Sequence, residues 1–196
     1  MSDWIERITS AWKGHRRFAE WLVTTIVPRT IVELGVDYGY SSFVFANALK
    51  NQGIVGKIYG IDLFQGDIHT GHRNTFNSVM KLKEEQNMDT LEIVEGDFSD
   101  ICKTWTDPIQ ILHIDGLHTY EAVKQDYENW HGFVEDTGVI IFHDVEAFKD
   151  SVGRFFQEIN GGYKLYFTHS AGLGIFTKNE ILYNNIKTSF PYVRMC

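Results

Sequence analysis

Cysteine is scarce. Cys102 and Cys196 are the only two in 196 residues, too few and too far apart for a disulfide framework or a cysteine metal site. They read as free thiols in a reducing compartment. Proline occurs three times, and no Pro- or Ser-rich tract marks a linker. No stretch approaches the ~20 apolar residues of a membrane-crossing helix. Residues 1–17 hold no uninterrupted apolar core of a secretory leader. A cytoplasmic location with no membrane partner is therefore expected. Basic residues are also short, 18 against 26 acidic ones, for a formal charge of −8. That argues against nucleic acid as a partner. Repeats are absent, so one domain over residues 1–196 is expected.

Apolar residues make up 43% of the chain, enough for an ordinary core. Trp4, Ile8 and Trp12 recur every fourth residue. Phe18, Trp21 and Leu22 form a second stripe after a break at Gly14. This predicts N-terminal helices over residues 1–27, ended by Pro28. Short Ile/Val-rich runs then predict buried parallel strands at Thr30–Leu34, Lys57–Ile61, Leu91–Glu95, Ile109–Ile114 and Val139–Phe142. Between them, helices are expected at Ser41–Leu49, Asn74–Glu85 and Tyr120–Val134, with another at Phe148–Ile159. Strands alternating with helices imply a doubly wound α/β sheet. The last two strands, Lys164–Thr168 and Gly172–Thr177, are separated by His169-Ser170-Ala171 alone. So short a connection cannot hold a crossover helix, and the pair must be antiparallel. The core is expected to span residues 28–178, with 179–196 as a tail.

The first strand runs into Glu33-Leu34-Gly35-Val36-Asp37-Tyr38-Gly39-Tyr40-Ser41 and then a helix. Glycines at such a turn let a ligand approach the backbone, and the helix N-terminus attracts an anion. Asp62 ends the second strand, placed for ribose hydroxyls. Asp97 and Phe98 follow the third, placed for an adenine amino group and ring. Any one of these residues alone would as readily be structural. Together they meet at the strand edge where open α/β sheets bind ligands.

The Leu-Gly-x-x-x-Gly-Tyr-Ser loop resembles the first motif of class I S-adenosylmethionine-dependent methyltransferases, particularly relatives of catechol O-methyltransferase. The stretch Ile114-Asp115-Gly116-Leu117-His118-Thr119-Tyr120-Glu121, with a later strand ending His143-Asp144, resembles bacterial small-molecule O-methyltransferases. These include enzymes acting on macrolide sugars. The resemblance covers roughly residues 30–177. It implies a Rossmann-like, mostly parallel, seven-stranded methyltransferase fold ending in an antiparallel hairpin. It implies S-adenosylmethionine as cofactor, held by Glu33, Gly35, Gly39, Tyr40, Ser41, Asp62, Asp97 and Phe98. Glu33 would take the amino group of the methionine part, with Ser41 and the helix N-terminus taking its carboxylate.

The implied acceptor is a hydroxyl of a sugar or other secondary metabolite. A hydroxyl attacks poorly until its proton leaves, so a base or a cation is needed. His118 suits the base, with Asp115 beside it, and an ordinary histidine would titrate near about 6–7. The resemblance maps a divalent cation, Mg²⁺ or Mn²⁺, onto Asp115, His143 and Asp144. The alternative for His143-Asp144, a hydrogen-bonded pair closing a strand, stays open. His113 is expected to be a satisfied core histidine. Two other functions remain: a non-catalytic cofactor-binding module, and an NAD-type oxidoreductase, which the missing G-x-G-x-x-G disfavours. Oligomeric state is left open, a homo-oligomer included.

Overall fold

The computed structural model describes residues 3–196. Two 3₁₀ turns, Ile5–Arg7 and Ala11–His15, lead into α1 (Arg16–Ile26). The expected first α-helix is thus replaced by tight turns. Ser10 is extended and caps Trp12. Gly14 lies so close to the loop after residue 167 that an added Cβ would sit 2.2 Å from Ser170 Oγ. The extended backbone at Ser10 breaks the helical path, and Ile5 and Trp12 are both buried from separate turns. In α1 the stripe Phe18, Ala19, Leu22 and Val23 is buried, as its spacing demands.

The sheet follows the expected order. Strands β1 (Thr30–Leu34), β2 (Lys57–Asp62), β3 (Leu91–Glu95), β4 (Ile109–Ile114) and β5 (Val134–His143) pair in parallel. Helix α2 (Tyr40–Gln52) follows β1, and α3 (Phe76–Glu85) follows β2. The short α4 (Phe98–Cys102) follows β3, and α5 (Tyr120–Trp130) follows β4. Helix α5 stops four residues before the expected end. A 3₁₀ turn at His131–Phe133 redirects the chain, and Val134 already belongs to β5. The first half of β5 carries exposed Asp136 and Thr137, so no apolar run announces it. A π-helical turn, Lys149–Gly153, precedes α6 (Arg154–Glu158).

Strands β6 (Tyr163–Phe167) and β7 (Leu173–Thr177) form the expected antiparallel hairpin, with β7 inserted between β5 and β6. The tail is not a tail. Asn179 caps α7 (Glu180–Ser189), which buries Leu182 and Ile186. Residues Arg194–Met195 then pair with β6 as β8. The sheet therefore has eight strands rather than seven, in the order β3-β2-β1-β4-β5-β7-β6-β8. The direction of winding reverses between β1 and β4, which opens a crevice at their carboxyl ends. Among the described residues no helix is long and apolar enough to cross a membrane.

Candidate active site

A cleft of about 530 Å³ opens at that crevice. Its floor is the turn after β1. Gly35 has φ +95°, and an added Cβ would stand 2.0 Å from the Asp115 carbonyl oxygen. Only glycine fits there. Asp62 fastens the same turn: its Oδ2 accepts from the Val36 and Asp37 amides at 2.8 and 2.9 Å, and its Oδ1 accepts from the Phe64 amide at 2.7 Å. Asp62 also lines the cleft. Asp37, Phe64 and Asp144, all around this cleft, have positive φ. Such strained residues gather where a site over-determines its backbone.

Helix α2 begins without a side-chain cap, so its first amides face the cleft for an anion. Tyr40 and Ser41 line the cleft in its first turn, and Tyr40 donates to Glu6 at 2.8 Å. Gly39 is the left-handed residue before the helix and packs on Phe43 rather than lining the cleft. At the other end, Asp97 and Phe98 line the wall. One Asp97 oxygen caps α4 through Ser99 and Asp100.

Glu33 departs from its expected role. It is fully buried and absent from the cleft wall. It accepts from Ser42 Oγ and from His113 Nδ1, the latter at 2.8 Å. The Trp12 indole, which can only donate, gives its N–H to His113 Nε2 at 3.1 Å. The His113 proton therefore sits on Nδ1. Glu33 anchors a core network that satisfies His113. Glu33→Ala is expected to lower folding stability by roughly 2–3 kcal/mol, the scale for buried hydrogen bonds to a charged acceptor. Urea unfolding measures this. Unchanged stability with lost cofactor affinity would return Glu33 to the cofactor site.

The ends of β4 and β5 bring Asp115, His118, His143 and Asp144 together. His118 Nε2 lies 2.7 Å from Asp144 Oδ2 and 3.8 Å from Asp115 Oδ1. The closer contact is off the line a hydrogen bond requires, and neither His118 ring nitrogen has an aligned partner. Phe148 stacks on the imidazole at 4.4 Å, nearly parallel, and His69 packs against Phe148. Burial works against charge on His118, but the two carboxylates outweigh it and push its pKa up to about 9.

His143 sits behind the carboxylates. Its Nδ1 is 3.3 Å from Asp115 Oδ1 and 3.2 Å from Asp144 Oδ2, and its Nε2 donates to the Ser170 carbonyl at 3.0 Å. Both nitrogens need protons for these contacts, so the ring is a cation. Burial opposes that charge, but Asp115 and Asp144 raise its pKa to about 10. Burial also opposes ionisation of Asp115, but His143 and His118 hold its carboxyl well below the usual range, and Asp144 shifts the same way. His143 therefore balances the pair of carboxylates. Among the described residues, Asp115, His118 and Asp144 have ligand atoms that all lie within 4.8 Å of one another, a group that contains His118 and not the expected His143.

The loop after β2 closes the cleft with Gly66, Asp67, Thr70 and Arg73, facing Thr9 and Ser10 from the N-terminal turns. Arg73 pairs with Asp37 at 2.7 Å and lies over the Tyr38 ring. Arg16 pairs with Asp3, Glu6 and Glu20. The Phe148 stack and the Ser170 carbonyl escaped sequence reading, because each reaches the site from a separate loop.

Residues 32–145 match a family model described as a methyltransferase domain. The uncharacterized protein y4gI of Sinorhizobium fredii (strain NBRC 101917 / NGR234) is 33% identical over 172 residues, covering 85% of this chain and 19% of that protein. The chain thus spans about a fifth of the length of the curated relative it matches. CalS11, a calicheamicin methyltransferase, superposes with a TM-score of 0.69 at 13% identity, over 88% of this chain and 82% of that one. The O-methyltransferase TomG of Streptomyces achromogenes, involved in tomaymycin synthesis and solved with SAM, superposes at 0.67 and 15%, over 90% of each chain. A Bacillus cereus O-methyltransferase solved with SAH superposes at 0.63 and 17%, over 84% and 81%. At these identities the likeness is one of fold.

Proposed function

This chain belongs to the methyltransferase domain family, and from that premise we propose that it moves a methyl group from S-adenosylmethionine to a hydroxyl of a small acceptor, such as a sugar or other secondary metabolite. One observation carries the reading: a single cleft holds both the Gly35 turn and the Asp115–His118–Asp144 cluster. The turn suits the cofactor because glycine at 35 lets it pack against the Asp115 backbone while lining the cleft with main chain. Ser41 and the open N-terminus of α2 would take the carboxylate of the methionine part. Asp62 keeps lone pairs for the ribose, and Phe98 offers its ring to the adenine. When bound, the cofactor supplies an electrophilic methyl on a sulfonium. The new O–CH₃ bond forms as the S–CH₃ bond breaks, leaving a thioether, and the hydroxyl proton passes to His118. Alignment of acceptor and donor in the cleft supplies much of the acceleration.

Two consequences are open to calorimetry. S-adenosylhomocysteine should bind and raise the melting temperature by mass action. No effect at millimolar ligand, with tight binding of NAD instead, would favour an oxidoreductase. Asp62→Ala should weaken S-adenosylhomocysteine by roughly 1–3 kcal/mol, because it loses charge-assisted bonds that shape the turn. Unchanged affinity would remove Asp62 from the site.

A second reading rests on the His118 nitrogens, which lack aligned partners beside two carboxylates. Two oxygens and one imidazole nitrogen suit a divalent cation such as Mn²⁺ better than Mg²⁺, which favours oxygen alone. Asp115, His118 and Asp144 would hold it. When bound, it would lower the pKa of the acceptor hydroxyl. EDTA should then abolish turnover while leaving S-adenosylhomocysteine binding intact. Full activity of protein shown by elemental analysis to be metal-free would leave His118 as the base.

A further inference from the structure

Helix α5 carries a buried stripe at the helical spacing Val123, Asp126, Trp130. The middle position calls for an apolar residue, yet it holds a carboxyl that is only 7% exposed. Buried carboxyls are normally paired. No hydrogen bond or ion pair engages Asp126 among the described residues. Asp126 faces the cleft beside Phe98 and Gly116. An added Cβ at Gly116 would lie 2.8 Å from the Phe98 ring and 3.1 Å from Asp126 Oδ2. Glycine at 116 therefore lets the Phe98 ring and the Asp126 carboxyl pack close to the chain after β4, and all three line this end of the cleft.

An unpartnered acid beside an aromatic ring in the cleft wall calls for a ligand edge carrying a donor and an acceptor side by side. Resting on the S-adenosylmethionine reading, we propose that Asp126 recognises the adenine of the cofactor as a neutral carboxyl. Its O–H donates to ring N1 and its carbonyl oxygen accepts from the 6-amino group. An ionised carboxylate could take only the amino hydrogen and would face the N1 lone pair unfavourably. Asp97, the other acid at this end, spends one oxygen on capping α4, whereas Asp126 has no hydrogen-bond partner among the described residues.

The surroundings favour the neutral form. Burial pushes the Asp126 carboxyl up to about 7, and the Asp97 charge adds to it. Asp97, at the head of α4, is the charge that bears on it. Phe98 on α4, Gly116 after β4, and Ala122 and Gln125 on its own helix are uncharged. Asp115 is paired with His118 and His143. Binding of adenine therefore draws on the protonated fraction of the free protein and takes up a proton above neutrality.

The test is calorimetry on the full chain with S-adenosylhomocysteine, and with 5′-deoxy-5′-methylthioadenosine, which lacks the titrating amino acid part. Affinity should fall about tenfold from pH ~6 to pH ~8, as the protonated fraction falls. Buffers of different ionisation enthalpy should report uptake of about one proton per ligand at the higher pH. Asp126→Asn keeps a donor and an acceptor, so it should bind both ligands equally at the two pH values without proton uptake. Affinity of the unmutated protein that ignores pH, with no proton uptake, would overturn the assignment. So would a pH dependence that survives in Asp126→Asn. Failure of S-adenosylhomocysteine to bind at any pH would instead sink the cofactor reading beneath it.

Discussion

Replacing His118 with alanine is expected to lower kcat at least about a hundredfold, the contribution of a placed general base, while fold and S-adenosylhomocysteine affinity persist. The ring stands at the joint between β4 and α5, wedged by Phe148, and its Nε2 faces two carboxylates. Those carboxylates stabilise the charge that His118 gains when it takes the acceptor's proton. They also set the pH profile. With a pKa of about 9 rather than the ordinary value, most of the imidazole is already protonated near neutral pH. The rate of metal-free enzyme should therefore rise with pH through about 9, and not through the 6–7 expected of an unperturbed histidine. Stability runs the other way. A raised histidine pKa adds stability that is whole below about pH 6.5 and fades as pH climbs through the folded value. Near wild-type turnover in the variant, with the same profile, would remove His118 as the base. A cation acting on the hydroxyl would then be the better account.

Gly35→Ala is expected to abolish measurable cofactor binding and to cost about 2–4 kcal/mol of folding stability, the range of the larger single-site effects. Two penalties combine. The φ of +95° is one that side chains rarely adopt, and the new methyl would meet the Asp115 carbonyl at 2.0 Å. Because both atoms belong to backbone, neither can swing aside, and relief must displace the turn from β2 or the β4 end from its register. Gly53→Ala is the control. Its φ is also positive, at +62°, but nothing lies within 4 Å, so about 1–2 kcal/mol is expected there with binding intact. Denaturant titration and calorimetry on both variants decide. A Gly35→Ala protein that binds like its parent would show that the turn is free to move and that the cradle lies elsewhere.

Much of this architecture is legible along the chain, because it rests on local pattern. Ile/Val-rich runs mark the five parallel strands, since strands buried on both faces have no polar side to show. Three residues between the last two core strands force an antiparallel turn. Asp62, Asp115 and Asp144 stand at or just past strand ends, and His118 in the turn after β4, so all four are legible as candidate site residues at the edge where the winding reverses. Where the pattern is weak, reading falters. The first half of β5 is polar, β8 is two residues long, and the N-terminal periodicity is broken by Ser10 and Gly14.

Other features depend on pairs of residues far apart in sequence. Glu33 and Asp62 both sit at strand ends and look alike on paper. Their fates diverge because β1 places Glu33 beside His113, eighty positions away, with Trp12 closing the chain of hydrogen bonds, whereas Asp62 turns into the cleft. The Ser170 carbonyl and two carboxylates likewise claim both nitrogens of His143, which leaves His118 as the imidazole beside Asp115 and Asp144 without an aligned partner. Asp126 occupies an apolar position of its helix, and only the packing of α4 and the β4 end shows that none of the described residues pairs with it. Periodicity and strand ends follow from backbone geometry, which acts over a few residues. Whether a buried polar group serves the core or the ligand follows from which partners desolvation leaves within hydrogen-bonding reach, and those come from neighbouring strands and loops far away in sequence.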